Sequence, residues 1–178
     1  MPGNSGQRER LFFALWPDDA VRARLAAAAE TVRHGRRVPT GNLHLTLAFL
    51  GDCDERAREA AVRVAGTVVA PAFALTLTRC GTFRRSGVAW LAPEVTPPAL
   101  QTLVTRLHEG LIETGFNLDR RPFRPHVTVA RKAAPQRTRT ITPVDWPVSE
   151  FCLVVSRLHP DGSRYERLHR WPLAAAPA

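Results

Sequence analysis

The stretch Asn42–Gly51 reads NLHLTLAFLG, and it decides how the chain around it is expected to fold. Leucines alternate with His44 and Thr46, and a period of two is typical of a β-strand with one buried face. The same order, H-φ-T-φ with an aliphatic φ, returns in Pro125–Val129, which reads PHVTV. Both stretches therefore predict a strand that buries aliphatic side chains and presents an imidazole beside a hydroxyl on its other face.

Strand and helix patterns alternate along the rest of the chain without regular βαβ spacing, which favours an α+β fold with a largely antiparallel sheet. Helices are expected after Pro17, Asp54 and Thr96, and Gly35 and Gly115 suit the ends of the first and third. The expected strands cover residues 11–15, 43–50, 73–78, 88–91, 122–131, 151–155 and 165–171.

The length of 178 residues fits one domain, or two small lobes that share one core. We expect residues 1–178 to form a single domain, with residues 1–9 and 173–178 as flexible tails. The Pro- and Arg-rich segment 133–143 is expected to be a surface loop, and no segment is long enough to act as a linker between domains.

The repeated pattern supplies side chains that suit attack on a phosphodiester. If both presenting faces line one cleft, His44, Thr46, His126 and Thr128 surround a shared point. Histidine titrates near neutral pH, so one imidazole accepts a proton while the other, protonated, donates one. The hydroxyls donate hydrogen bonds to phosphate oxygens. A pair of half-buried strand histidines without chemistry is the alternative, which a duplicated pattern in one short chain disfavours.

Charge points to an anionic partner, because clustered arginines attract phosphates. The formal net charge is +9, with a pI near 11.2. Biased composition is an alternative explanation, since Lys132 is the only lysine in an alanine-rich chain. The distribution favours a partner, because residues 120–144, around the second motif, hold seven basic residues and no acid.

Several other classes of protein are disfavoured. Cys53, Cys80 and Cys152 form no C-x-x-C pair, so neither a zinc cluster nor a disulfide framework is expected. Neither a Walker loop nor the sequences G-x-G-x-x-G, G-x-S-x-G and H-E-x-x-H occur. No apolar run approaches the ~20 residues of a membrane span, and the N-terminus does not resemble a secretory signal. A cytoplasmic location and no contact with membrane are expected.

The sequence resembles the two-histidine phosphoesterase superfamily, and within it the RNA 2′,3′-cyclic phosphodiesterase branch, historically called 2′-5′ RNA ligase. The resemblance covers nearly the whole chain and is carried by Arg10–Ala14, Asn42–Gly51, Arg121–Arg131 and Arg164–Leu168. It implies two pseudo-symmetric lobes of antiparallel sheet with outer helices around a central catalytic cleft.

The resemblance also implies an activity, namely hydrolysis of RNA 2′,3′-cyclic phosphate ends to 2′-phosphates. On that expectation His126 is the general base, His44 is the general acid, and Thr46 and Thr128 bind the substrate phosphate. No metal or other cofactor is expected, because the cyclic ester is strained and its leaving alkoxide needs only a proton. The expected partners are RNA or nucleotides with 2′,3′-cyclic phosphate ends, and the protein is expected to be a monomer.

Two further residues are candidate nucleotide contacts. Arg131 resembles an arginine that faces the nucleotide in relatives, with an ordinary surface arginine as the alternative. Phe49 suits stacking on a base, but strand parity places it opposite His44 unless the strand twists or ends first, and core packing is the alternative. His108 is expected on the solvated face of the third helix.

Two other functions are open to the same residues. The site, used in reverse, would make an ATP-independent 2′–5′ RNA ligase. A protein that binds RNA without catalysis is the second alternative, which the two intact motifs disfavour.

Overall fold

The computed structural model describes residues 8–175, in which nine strands and three α-helices form an α+β fold. The strands are β1 (Glu9–Leu15), β2 (Arg36–Arg37), β3 (Leu45–Cys53), β4 (Phe73–Phe83), β5 (Val88–Ala92), β6 (Val127–Arg131), β7 (Arg139–Val148), β8 (Glu150–His159) and β9 (Gly162–Pro172). The helices are α1 (Asp19–Ala29), α2 (Glu55–Thr67) and α3 (Pro98–Glu113), and a 3₁₀ turn covers Thr40–Asn42. The predicted fold class is confirmed.

All strand pairs are antiparallel, in the order β7-β4-β5-β6-β3-β1-β8-β9, and β2 pairs with β6. One half of the sheet contains β1, β3, β8 and β9, and the other contains β2 and β4–β7. The halves meet where β3 pairs with β6, through the single pair Leu45–Val127. The two strands that carry the H-φ-T-φ motifs are therefore neighbours at the centre of the sheet.

The helices interlock the two halves of the sheet. Helix α1 follows β1 in the chain but packs on β6 and β7 of the other half. Helix α3 follows β5 but packs on α2 and β3 of the first half. Its buried leucines join one continuous core that includes residues of both halves, such as Leu15 and Leu77. The halves therefore share a single hydrophobic core.

The helix starts depend on different caps. Asp18 and Asp54 accept hydrogen bonds from the backbone N–H groups of Val21 at 2.8 Å and Ala57 at 2.9 Å, as expected of N-caps. Pro17 therefore precedes the cap of α1 and lies outside its first turn. The predicted role of Thr96 was wrong, because α3 begins at Pro98 without a side-chain cap; prolines there leave fewer N–H groups to satisfy.

Several predicted boundaries were also wrong. Helix α1 ends at Ala29, well before Gly35. Strands β3 and β6 begin immediately after their histidines, later than the predicted starts at residues 43 and 122. Pro122 and Pro125 have no backbone N–H group, so the segment between them cannot form a complete set of strand hydrogen bonds. The predicted loop 133–143 overlaps β7, an edge strand in which Pro143 is tolerated.

The chain ends are more ordered than expected within the described range. Glu9 begins β1, and the N–H groups of Leu173 and Ala174 donate to backbone carbonyls of Ser149 and Ala70 at 2.8 and 2.9 Å. The other predicted tail residues, 1–7 and 176–178, lie outside the described residues.

Strand β3 contains a β-bulge that redirects its side chains. Phe13 of β1 pairs with Ala48 and Ala14 pairs with Thr46, so Leu47 is an extra residue without a partner on β1. The alternation shifts by one position there, because Leu47 and Ala48 are both buried while Phe49 is 47% exposed. A bulge of this kind bends a strand and re-aims the residues that follow.

His108 of α3 supports this bulge. Its Nε2–H donates to the carbonyl oxygen of Leu47 at 2.8 Å. The prediction of a solvated position for His108 was wrong, because helix packing turns the half-buried imidazole toward β3.

Candidate active site

The pair Leu45–Val127 brings the four motif side chains together on one face of the sheet. In an antiparallel pair the next residues face each other across the strands, so His44 lies opposite Thr128 and Thr46 lies opposite His126. Leu45 and Val127 are both fully buried, and the four polar side chains lie on the opposite face of the sheet. A local two-fold axis through the pair relates the two motifs.

Both imidazoles are held in the same way. Nδ1 of His44 donates to the carbonyl oxygen of Asn42 at 2.7 Å, and Nδ1 of His126 donates to that of Arg124 at 2.8 Å. A carbonyl oxygen only accepts hydrogen bonds, so Nδ1 carries the proton in each ring and Nε2 of the neutral ring has a free lone pair. Each histidine therefore presents Nε2 for proton transfer.

The two Nε2 atoms differ in their partners. The Thr46 hydroxyl donates to Nε2 of His44 at 3.0 Å. Among the described residues, Nε2 of His126 has no hydrogen-bond partner. In the free protein, His126 is therefore the better placed of the two to accept a proton from another molecule.

Aromatic rings enclose His44. Trp16 stacks on its imidazole with centroids 5.7 Å apart, Phe12 lies at 4.9 Å, and Tyr165 meets it edge-on at 5.3 Å. His126 has a simpler environment, in which Phe83 lies edge-on at 5.1 Å. These aromatic neighbours were missed from the sequence, because they come from β1, β4, β9 and the connection between β1 and α1, which are far apart in the chain and meet the motifs only in the folded sheet.

Burial disfavours the charged form of both histidines. Desolvation lowers the pKa of His44 to about 4; the hydrogen bond to Asn42 opposes this shift, and the positive charge of Arg131 adds to it. Desolvation also lowers the pKa of His126, partly offset by the bond to Arg124. Both rings are therefore neutral in the free protein near pH 7, and a bound anion would raise both pKa values.

A cleft of about 590 Å³ opens over this face of the sheet. His44, Thr46 and Thr128 line it, whereas His126 lies outside the lining, against Phe83. Five cationic side chains line the cleft with a single carboxylate, that of Asp161. The cations are Arg10, Arg36, Arg37, Arg131 and Lys132.

The structure brings both candidate nucleotide contacts to the cleft. Arg131 lines it and lies close enough to His44 to affect its pKa. Phe49 reaches the same side as Thr46 because the bulge at Leu47 reverses the parity of β3. The guanidinium of Arg10 lies over the Phe49 ring, 4.9 Å from its centroid.

Residues 8–175 contain neither a metal-binding cluster nor a membrane-spanning helix. No group of three or more His, Cys, Asp or Glu side chains is arranged to hold a metal ion. No helix there has the length and apolar character needed to cross a membrane.

An antiparallel sheet that places two histidine–threonine motifs side by side at a basic cleft defines a class, the LigT-like phosphoesterases. A crystal structure of a phosphoesterase matches with a TM-score of 0.86 at 35% identity and covers 94% of this chain and 99% of its own. Escherichia coli LigT complexed with 3′-AMP matches with a TM-score of 0.85 at 34% identity, over 94% of this chain and 99% of its own.

Sequence comparison gives the same class. A family model described as the 2′-5′ RNA ligase superfamily matches residues 17–160. The RNA 2′,3′-cyclic phosphodiesterase of Escherichia coli is 35% identical over 170 residues, 93% of this chain and 97% of the relative. The enzyme of the same name from Thermus thermophilus is 35% identical over 182 residues, 92% of this chain and 90% of the relative. The chain belongs to the 2′-5′ RNA ligase superfamily, as its motifs predict.

Proposed function

We propose that this protein is an RNA 2′,3′-cyclic phosphodiesterase that opens cyclic phosphate ends to 2′-phosphates without a metal ion. The observation that carries the proposal is the arrangement of two histidines and two threonines around the pair Leu45–Val127. The names of the Escherichia coli and Thermus thermophilus relatives support the reaction. The 3′-AMP complex of LigT supports a nucleotide as ligand of such a cleft.

In the proposed mechanism, the phosphate lies between the two histidines. Nε2 of His126 removes a proton from a water molecule, whose oxygen attacks phosphorus. Protonated His44 donates its Nε2 proton to O3′ as the P–O3′ bond breaks, which leaves the phosphate on O2′. The water proton ends on His126 and the His44 proton ends on the ribose, so a proton exchange with solvent restores the enzyme.

The assignment of His126 as base follows from its unoccupied Nε2. His44 has to acquire a proton before it acts as an acid, and the negative charge of the bound phosphate favours this. Burial opposes this gain by lowering the pKa of His44, so the imidazolium is a stronger proton donor than a fully solvated one. The two rings lie diagonally across the Leu45–Val127 pair. This placement suits attack by water and departure of O3′ on opposite sides of phosphorus.

The remaining candidate residues act on binding. Thr46 and Thr128 donate hydrogen bonds to the non-bridging oxygens, whose charge grows in the transition state. Arg131 adds a positive charge to the same cleft, and Phe49 offers an exposed ring on which a base stacks. We further propose that the protein is a cytoplasmic monomer, which size-exclusion chromatography and cell fractionation test.

The test uses an oligoribonucleotide with a 2′,3′-cyclic phosphate end, a partner with a 5′-hydroxyl, and an excess of chelator. We expect phosphorus NMR to show a 2′-phosphate and almost no joined product. Joined 2′–5′ product as the main species would make the protein a ligase that uses the site in reverse. Activity that is lost with the chelator and returns with a divalent metal would contradict the metal-free mechanism.

Matched variants test the residues. His44→Ala and His126→Ala each remove one proton-transfer group and are expected to lower kcat by about 10²–10⁴-fold. The control is His169→Ala, at an exposed position of β9 outside the cleft lining, and its kcat should stay within about twofold of the parent value. Binding of RNA without turnover by the parent protein would instead identify a non-catalytic module.

A further inference from the structure

The cationic side chains of the cleft are more numerous than its reaction requires. A terminal cyclic phosphodiester carries one negative charge, whereas five cations and one carboxylate line the cleft. Asp161 does not neutralise the five cations, because its carboxylate lies 3.4 Å from His159 and 4.0 Å from Arg164. The excess positive charge is therefore available to a ligand with several phosphates.

Two of these cations lie directly opposite each other. Arg36 of β2 pairs with Arg131 of β6, and like charges directly opposite in a sheet are destabilising. Among the described residues, neither guanidinium forms an ion pair. Arg37 follows in β2 and Lys132 follows in the chain after β6, and both line the cleft. An anion bound along these four side chains would remove the repulsion between their positive charges.

We call these four side chains, Arg36, Arg37, Arg131 and Lys132, the basic cluster. Its position relative to Thr128 suggests which anion the cluster binds. Strand β6 advances about 3.3 Å per residue, so Arg131 lies about 10 Å from Thr128 along the strand. Stacked nucleotides advance about 3.4 Å each, so the cluster lies within reach of the phosphates that precede the terminal nucleotide. The tip of the β8–β9 hairpin also lines the cleft and lies against the Arg36 guanidinium, since a Cβ atom at Gly162 would lie 3.6 Å from its Nη2.

We propose that Arg36, Arg37 and Lys132 form a binding track for the RNA backbone on the 5′ side of the cyclic phosphate end, next to Arg131. The inference rests on the proposed function, and it names an oligoribonucleotide as the preferred substrate over a mononucleotide. The track binds phosphates, so its contribution depends on salt and not on the bases.

The test measures binding of products, which are not turned over. Isothermal titration calorimetry compares adenosine 2′-phosphate with a hexa-adenylate that ends in a 2′-phosphate, at several salt concentrations. We expect the parent protein to bind the hexamer at least about tenfold more tightly than the monomer, with a steeper salt dependence. Equal affinities for the two ligands would overturn the proposal.

Matched double variants separate charge from structure. Arg36→Ala/Arg37→Ala should reduce the salt slope for the hexamer by about 1.4, and thus its affinity by about 25-fold near 0.1 M salt. Arg36→Lys/Arg37→Lys keeps both charges and should retain most of the hexamer preference. Arg56→Ala/Arg63→Ala makes the same charge change on exposed positions of α2 outside the cleft, and it should leave the preference intact.

The outcomes also distinguish this proposal from the proposed function. Equal weakening of the hexamer by the two alanine double variants would show a general charge effect and overturn the track. Loss of hexamer preference in the lysine variant as well as in the alanine variant would contradict a role for charge. Tight, salt-dependent hexamer binding by a parent protein that opens no cyclic phosphate would support the track and refute the hydrolase.

Discussion

At the scale of single residues, the hydrogen bond from Thr46 to His44 links the protonation of one group to the ligand binding of the other. Nε2 of neutral His44 accepts the Thr46 hydroxyl at 3.0 Å. Once Nε2 is protonated it no longer accepts, and the Thr46 hydroxyl is released to donate to a phosphate oxygen. The form of His44 that donates a proton is thus also the form that frees Thr46 for the substrate.

The lowered pKa values predict different pH profiles for free and bound enzyme. Catalysis needs one neutral and one protonated histidine. The pH dependence of kcat/KM reports the pKa values of the free enzyme, in which the pKa of His44 is about 4. As the pH rises above the lowered pKa values, the free enzyme loses the required proton and kcat/KM falls. Bound phosphate raises both pKa values, so the optimum of kcat lies at higher pH.

Steady-state kinetics between about pH 4 and 9 measure both profiles, with the cyclic mononucleotide as substrate. Arg131→Gln removes a positive charge that holds the pKa of His44 down, so the limb of the kcat/KM profile that His44 sets should move to higher pH. Coincident optima of kcat and kcat/KM in the parent protein would contradict this account.

At the scale of secondary-structure elements, the bulge in β3 decides which side chains enter the cleft. Leu47 is the extra residue, and its carbonyl oxygen accepts a hydrogen bond from His108 of α3. The reversed parity then brings Phe49 to the same side as Thr46. A helix that lies behind the sheet therefore affects how a nucleotide is held in front of it.

Substitution of His108 tests this connection. His108→Leu removes the donor to Leu47, and we expect KM for a cyclic nucleotide to rise about three- to tenfold with a smaller change in kcat, because one neutral hydrogen bond contributes about 1 kcal/mol. His108→Gln keeps an N–H group at a similar reach and should restore most of the affinity.

A double-mutant cycle with Phe49→Ala shows whether His108 acts through the ring. If it does, the two substitutions together raise KM little more than Phe49→Ala alone. Fully additive effects would mean that His108 only stabilises the fold.

The same elements show how much of the structure could be predicted. Period-two alternation identified the two motif strands and which faces His44 and His126 share with their threonines, because parity is a local property. The position of Phe49 could not be predicted, because the bulge depends on a helix about 60 residues away in the sequence. Strand β7 was missed because its prolines are compatible with a strand only at an edge.

At the scale of the whole molecule, the helices tie the two halves of the sheet into one unit. The only strand pairing between the halves in residues 8–175 is Leu45–Val127, yet α1 and α3 each pack across to the half that does not precede them. Each half would expose a large apolar surface without the other, so we infer that neither is stable alone.

This interlocking predicts a single cooperative unfolding transition. Urea unfolding followed by far-UV circular dichroism, tryptophan fluorescence and residual activity should give coincident midpoints. Loss of activity at clearly lower urea than loss of ellipticity would show that the halves separate at the Leu45–Val127 junction before the core unfolds.

The local two-fold axis through Leu45 and Val127 has a consequence for how the site distinguishes its two ends. A phosphate turned by half a revolution about that axis meets the same four groups, with acid and base exchanged. The division of labour between His44 and His126 is therefore a property of their surroundings, not of the motifs. The cleft and the aromatic rings lie on the His44 side. The nucleoside therefore binds on that side only, and its position there selects one of the two phosphate orientations that the motifs alone would allow.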